Sequence, residues 1–231
     1  MSAKPKLYFL SGTMCTSELW SKVQANLTSY ECIYVDTTLV MSFKEVDAIL
    51  NLVLTPKAFV VAFSMGGYAA LHFAITYPKR IKKLIIIAAS ANGLNNEELQ
   101  LRKNTINFLE THSYKGISKA RILQFLHPKN HENEELIQIV KQMDATLGKE
   151  VLIKQLKATS QRVSLLGQLA SLENPIHIIA SAEDKLVPID TVREMHSKIP
   201  NTTLTIVNNC GHMLPLEVPD VIGASIGSFF N

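Results

Sequence analysis

Cysteine is scarce in this chain of 231 residues: Cys15, Cys32 and Cys210 are widely spaced, odd in number and include no CxxC pair. That pattern argues against a disulfide framework and a zinc site, and fits reduced thiols in a cytosolic compartment. Long apolar runs are missing as well. The longest, LIIIAASA from Leu84, falls far short of the about 20 residues a membrane-spanning helix needs. The opening MSAKPKLYFLSGT is basic, but its apolar run covers only residues 7–10, too short for a leader peptide. The expectation is a cytoplasmic chain with no membrane span. Charge of one sign is also lacking: 23 Lys and Arg stand against 20 Asp and Glu, a net +3 scattered along the sequence, which leaves no footprint for nucleic acid. There is no GxGxxG loop, no P-loop, no HExxH pair and no carboxylate cluster, so neither a nucleotide cofactor nor a metal is expected.

What is present is an apolar fraction of 47% with moderate charge, in a chain long enough for one well-buried domain or a domain carrying a sizeable insertion. Short β-branched runs recur at KLYFL (6–10), CIYV (32–35), AFVVAF (58–63), LIIIAA (84–89), IHIIAS (176–181) and LTIV (204–207). They are apolar at successive positions rather than alternating, as in strands covered on both faces, and helical segments separate them. The reading is an α/β fold: a doubly wound, mostly parallel sheet of about six strands. The rhythm breaks between residues 92 and 168. There Asn95 with Glu98 three residues on resembles a capping box, Leu136, Ile139, Val140, Met143 and Leu147 share one helical face, and Pro128 ends a helix. Residues 92–168 therefore read as a helical lid, inserted between a first core segment (1–91) and a second (169–231).

The stretch VVAFSMGGYAALHFA, residues 60–74, runs a buried strand into a helix through Ser64. A nucleophile elbow needs this context, with small residues on either side of the serine; Ala62 and Gly66 meet that demand. A serine hydroxyl is a weak nucleophile without a histidine to take its proton and a carboxylate to orient the histidine. Working sites in such folds form at the carboxyl ends of the strands. Asp184 follows the strand at 176–181, with Glu183 beside it, and His212 follows the last strand. Asp36 is a weaker rival, because it precedes the elbow strand. His72 and His177 read as packing residues, and His112, His127, His131 and His196 fall in helices or loops outside this set.

These segments resemble the α/β-hydrolase superfamily: AFSMGGYAALHFAITYP, SAEDKLVP, CGHMLPLEVP with its Glu-x-Pro, and FLSGTMCTSELW, which is similar to the family's His-Gly loop and is closed by Trp20. The resemblance covers the chain apart from the lid. It implies catalytic Ser64, Asp184 and His212, and an oxyanion hole formed by the backbone N–H groups of Met65 and Thr13. It also places Ser11, Met14, Cys15 and Met213 at the substrate pocket. The departures are Ser11 for the usual histidine, Ala62 for the first elbow glycine, Ser181 for a common glycine, and DTTLVMSF in place of a Gly-x-Gly-x-Ser stretch.

The implied activity is that of a serine hydrolase acting on a small, largely apolar carboxylic ester or thioester, without cofactor. Two alternatives stay open: a C–C bond hydrolase or carboxylate-eliminating lyase using the same triad, and a ligand-binding protein with little turnover. The small lidded esterases, such as the pimeloyl-carrier methyl esterases, and the menaquinone-pathway synthase branch resemble the chain about equally. Arg162 could meet a substrate carboxylate, but it is expected to be a surface residue. Monomer and homodimer are both compatible with the sequence.

Overall fold

The computed structural model, which describes residues 3–230, joins six strands into a single sheet. They are β1 (Lys6–Leu10), β2 (Glu31–Val35), β3 (Ala58–Phe63), β4 (Ile81–Ile87), β5 (Ile176–Ser181) and β6 (Thr202–Val207). The order is β2-β1-β3-β4-β5-β6, and every neighbouring pair is parallel. Successive side chains leave opposite faces of a strand, and here both faces are buried. Tyr8, Leu10, Val60, Ala62, Leu84 and Ile86 join one apolar cluster, while Leu7, Phe9, Val61, Phe63, Ile85 and Ile87 join the other. That is why the strands are continuously apolar.

Among the described residues, ten α-helices accompany the sheet: α1 (Ser21–Gln24), α2 (Phe43–Val53), α3 (Met65–Thr76), α4 (Asn96–Thr111), α5 (Lys119–Phe125), α6 (Glu134–Thr159), α7 (Leu166–Leu169), α8 (Ile189–Lys198), α9 (Leu214–Glu217) and α10 (Pro219–Phe230). Residues of α2, α3, α7 and α8 pack into the first cluster, and those of α1, α9 and α10 into the second. Among the described residues, no helix is long and apolar enough to cross a membrane.

Three strands start earlier than the sequence reading: β2 at Glu31 by one residue, β6 at Thr202 by two, and β4 by three. β4 starts at Ile81, not Leu84, and ends at Ile87 rather than Ala89. Its first turn carries Lys82 and Lys83, whose ammonium groups lie over the Phe59 and Phe229 rings. It stops where Ala88 turns to φ 48, a conformation no strand continues.

Between β4 and β5 come α4, α5 and α6. Asn95 caps α4 through a reciprocal box with Glu98. α5 ends just before Leu126, and Pro128 opens a short 3-10 turn. α6 is interrupted at Gly148, whose φ 70 and ψ −175 suit a residue without a side chain. Before that bend, Leu136, Ile137, Val140 and Met143 pack with Ile122 and Leu126 into the second cluster. Buried Asp144 accepts hydrogen bonds from the Tyr114 hydroxyl and the Ile117 N–H, tying α6 to the loop before α5. Arg162 is not the exposed surface residue expected. Its guanidinium donates to the carbonyls of Ser90 and Asn92 at 3.0 and 2.9 Å and lies over the Tyr68 ring, fastening the end of the insertion to the end of β4.

Candidate active site

β3 ends at Phe63 and α3 begins at Met65, so one residue, Ser64, must reverse the chain. It does so at φ 51 and ψ −115, a strained setting for a residue with a side chain. The surroundings enforce it. A Cβ at Gly66 would lie 2.6 Å from the Ser11 carbonyl oxygen, and one at Gly67 would lie 2.6 Å from the Ala89 Cβ. The Ser64 N–H is held by the Ile87 carbonyl of β4 at 2.9 Å. The turn thus raises the serine hydroxyl at the carboxyl end of the sheet, as the small residues around it lead one to expect.

Two further side chains meet it there. His212, in the loop after β6, places Nε2 3.1 Å from Ser64 Oγ and Nδ1 2.7 Å from Asp184 Oδ2. Asp184, in the loop after β5, takes the Leu186 and Val187 N–H groups on its other oxygen at 2.8 and 3.0 Å. Both residues are buried. With Nδ1–H donating to the carboxylate, Nε2 is left to accept the serine hydroxyl proton. The Phe63 ring packs 5.0 Å from the imidazole. Asp36 instead stays on the exposed loop after β2, accepting from the Thr38 N–H and hydroxyl.

The loop after β1 lies directly against the elbow: a Cβ at Gly12 would sit 3.0 Å from Ser64 Cβ. Among the described hydrogen bonds, none occupies the N–H of Thr13 or of Met65, whereas the Met14 N–H is taken by Gln155 Oε1 at 2.8 Å. Two residues expected at the pocket turn inwards instead. The Ser11 hydroxyl accepts from Trp20 Nε1 at 2.9 Å and donates to the Thr16 carbonyl at 3.2 Å, so it braces the loop. Cys15 packs in the core below, and burial pushes its thiol up to about 12. Met14 is half-buried in the loop at φ 56, and Met213 is buried beside His212.

Sequence reasoning missed the groups that seat His212. Its N–H and that of Met213 both donate to the Phe125 carbonyl, at 2.7 and 3.3 Å, so a main-chain oxygen at the end of α5 holds the histidine loop. Glu217 bridges the same elements, accepting the Gly211 N–H at 2.9 Å and the His127 N–H and Asn130 amide at 2.8 Å each. The Glu-x-Pro of the family resemblance marked this carboxylate but not its partners. Ser181, noted only as a departure, donates from its buried hydroxyl to the Cys210 carbonyl and accepts the Glu183 N–H at 3.0 Å, joining the aspartate loop to the histidine loop. Gln155 carried no sequence signal at all.

The family model described as alpha/beta hydrolase fold matches residues 37–219. Among curated proteins, the chain is 24% identical to an uncharacterized hydrolase, YugF, of Bacillus subtilis, over 80% of this chain and 70% of that one. It is 26% identical to a 2-hydroxy-6-oxononadienedioate/2-hydroxy-6-oxononatrienedioate hydrolase of Pseudomonas putida, over 73% of this chain and 61% of its relative. The match thus leaves about three tenths to two fifths of those longer proteins uncovered. Among solved structures, a thermophilic esterase from Thermogutta terrifontis superposes with a TM-score of 0.87 at 19% identity, covering 98% of this chain and 89% of that one.

Proposed function

This chain belongs to the alpha/beta hydrolase fold family, and from that premise we propose that it is a serine hydrolase of small, largely apolar carboxylic esters or thioesters. The observation that carries the reading is the hydrogen-bonded line from Ser64 through His212 to Asp184, at 3.1 and 2.7 Å. In the proposed cycle the Ser64 oxygen attacks the acyl carbon while His212 Nε2 takes its proton. Asp184 holds the imidazole in the required tautomer and stabilises its cation. The N–H groups of Met65 and Thr13 receive the oxyanion, and loss of one such donor typically costs about 10²–10³ in rate. The imidazolium then protonates the departing alcohol or thiol as its bond to the acyl carbon breaks, leaving the acyl group on Ser64. Water, giving its proton to the same nitrogen, attacks the acyl-enzyme, releases the acid and restores the serine.

Met14 and Met213 flank this centre as apolar walls, and residues 92–168 act as its cover. Incubation with a fluorophosphonate probe tests the reading: a single adduct by mass, absent in Ser64→Ala, is expected. A folded protein that takes no adduct would sink it and favour a ligand-binding role. A second reading, cleavage of a C–C bond by the same triad, is supported by the likeness to the Pseudomonas putida hydrolase. Turnover of a dienoic keto acid in preference to p-nitrophenyl esters and acyl thioesters would select it.

A further inference from the structure

The helical insertion touches the site a second time, at the loop after β1. Gln155, in the part of α6 beyond the Gly148 bend, is 1% exposed, and its Oε1 accepts the Met14 N–H across 141 residues of sequence. The atom facing that N–H is an oxygen, since a donor cannot meet a donor. We propose that Gln155 is a positioning residue of the oxyanion loop, so that the insertion supplies part of the transition-state machinery as well as covering it. The proposal rests on the serine-hydrolase reading.

Three observations carry it. First, the loop is braced elsewhere but not here. Ser11 is held by Trp20 and Thr16, the Cys15 N–H by the Gly12 carbonyl at 3.3 Å, and the Cys15 carbonyl by the Tyr34 hydroxyl at 3.4 Å. The Thr13–Met14 peptide has Gln155 as its brace, against which the Cys15 thiol on the Thr13 carbonyl at 3.4 Å is weak. Second, that peptide leads into Met14 at φ 56, a setting that a side chain resists and that surrounding contacts must hold. Third, neighbouring N–H groups compete for an oxyanion. With the Met14 donor taken by Gln155, the Thr13 N–H is the neighbouring one left without a partner among the described hydrogen bonds.

The turn of α6 that carries Gln155 is itself anchored: the Thr159 hydroxyl donates to the Gln155 main-chain carbonyl at 2.7 Å and accepts from Arg102 of α4. A buried amide is costly unless it is hydrogen-bonded, and an apolar side chain would fill this place in a helix more cheaply. The bond to Met14 is what the amide adds.

The experiment compares wild type, Gln155→Met and Gln155→Glu. Methionine keeps the volume without the acceptor; glutamate keeps the acceptor. For p-nitrophenyl butyrate, Gln155→Met is expected to lower kcat about tenfold to a hundredfold, the effect of a misplaced donor, with KM within about twofold. Affinity for a trifluoromethyl ketone, which mimics the tetrahedral oxyanion, should fall by a similar factor. Gln155→Glu should recover most of both. Hydrogen–deuterium exchange supplies a readout that needs no turnover: the peptide containing Met14 should lose protection in Gln155→Met while the rest of the map is unchanged. Unaltered exchange at Met14 overturns the brace, and lost protection with unaltered kcat and inhibitor affinity overturns its catalytic role. An inert wild type overturns the hydrolase reading, and with it any part for Gln155 in turnover.

Discussion

Replacing Gly211 with alanine asks how tightly the insertion and the His212 loop are locked. A Cβ there would lie 2.5 Å from the Phe125 carbonyl oxygen, 2.7 Å from the His127 nitrogen and 2.8 Å from the Leu126 carbonyl carbon. All three are main-chain atoms, so no side chain can swing aside. Ordinary contact begins at 3.4 Å, so the oxygen has to retreat by about 0.9 Å. The same oxygen accepts the His212 N–H at 2.7 Å, and that retreat lengthens the bond to at most about 3.6 Å, the edge of hydrogen-bonding range. Overpacking of this kind costs about 1–3 kcal/mol. In a chain of this length that lowers Tm by roughly 2–12 °C. A shift approaching 1 Å in a proton-transferring group costs about 10² in rate, so kcat/KM should fall by one to two orders of magnitude. Differential scanning calorimetry and ester hydrolysis read the two effects. Gly227→Ala, in α10 with nothing within 4 Å of the added methyl, is the control and should be neutral or stabilising by about 0.5–1 kcal/mol. If Gly211→Ala matched wild type in both Tm and kcat/KM, the lock between α5 and the histidine loop would be refuted.

Two further outcomes follow from buried groups. Ser181→Ala removes the partner of the Cys210 carbonyl and the Glu183 N–H, and should destabilise the protein by about 1–3 kcal/mol in urea unfolding while lowering kcat more than it changes KM; equal stability would mean the hydroxyl is merely tolerated there. Burial raises all three thiols, Cys15 to about 12 and Cys210 to about 11, so they stay protonated and unreactive at pH 8. Ellman's reagent should therefore react slowly with the folded protein and titrate all three cysteines after denaturation, and fast labelling of Cys15 would refute its packing.

Much of this architecture was legible because it is local. Strands buried on both faces must be apolar at every position, and an elbow must have small residues beside its serine, so β1, β3 and the Ser64 turn stood out in the sequence. The cap at Asn95 was readable for the same reason. The start of β4 was not, because Lys82 and Lys83 set their ammonium groups over aromatic rings and still look like loop residues. Arg162 looked like a surface residue because its partners are main-chain carbonyls some 70 positions earlier. Gln155 was the least visible. A polar residue in an amphipathic helix is ordinary, and its one distinctive partner lies in another third of the chain.

The Phe125 carbonyl that receives His212 belongs to the backbone, and every residue type offers the same oxygen. Substitution at position 125 would therefore alter the apolar ring near the imidazole without withdrawing the bond that seats it. Inheritance can act on the two separately. The side chains at the end of α5 are free to change, while the chain length and path from α5 to the turn at Pro128 keep the histidine loop in place. Relatives could share this support with no letter in common at the position that provides it.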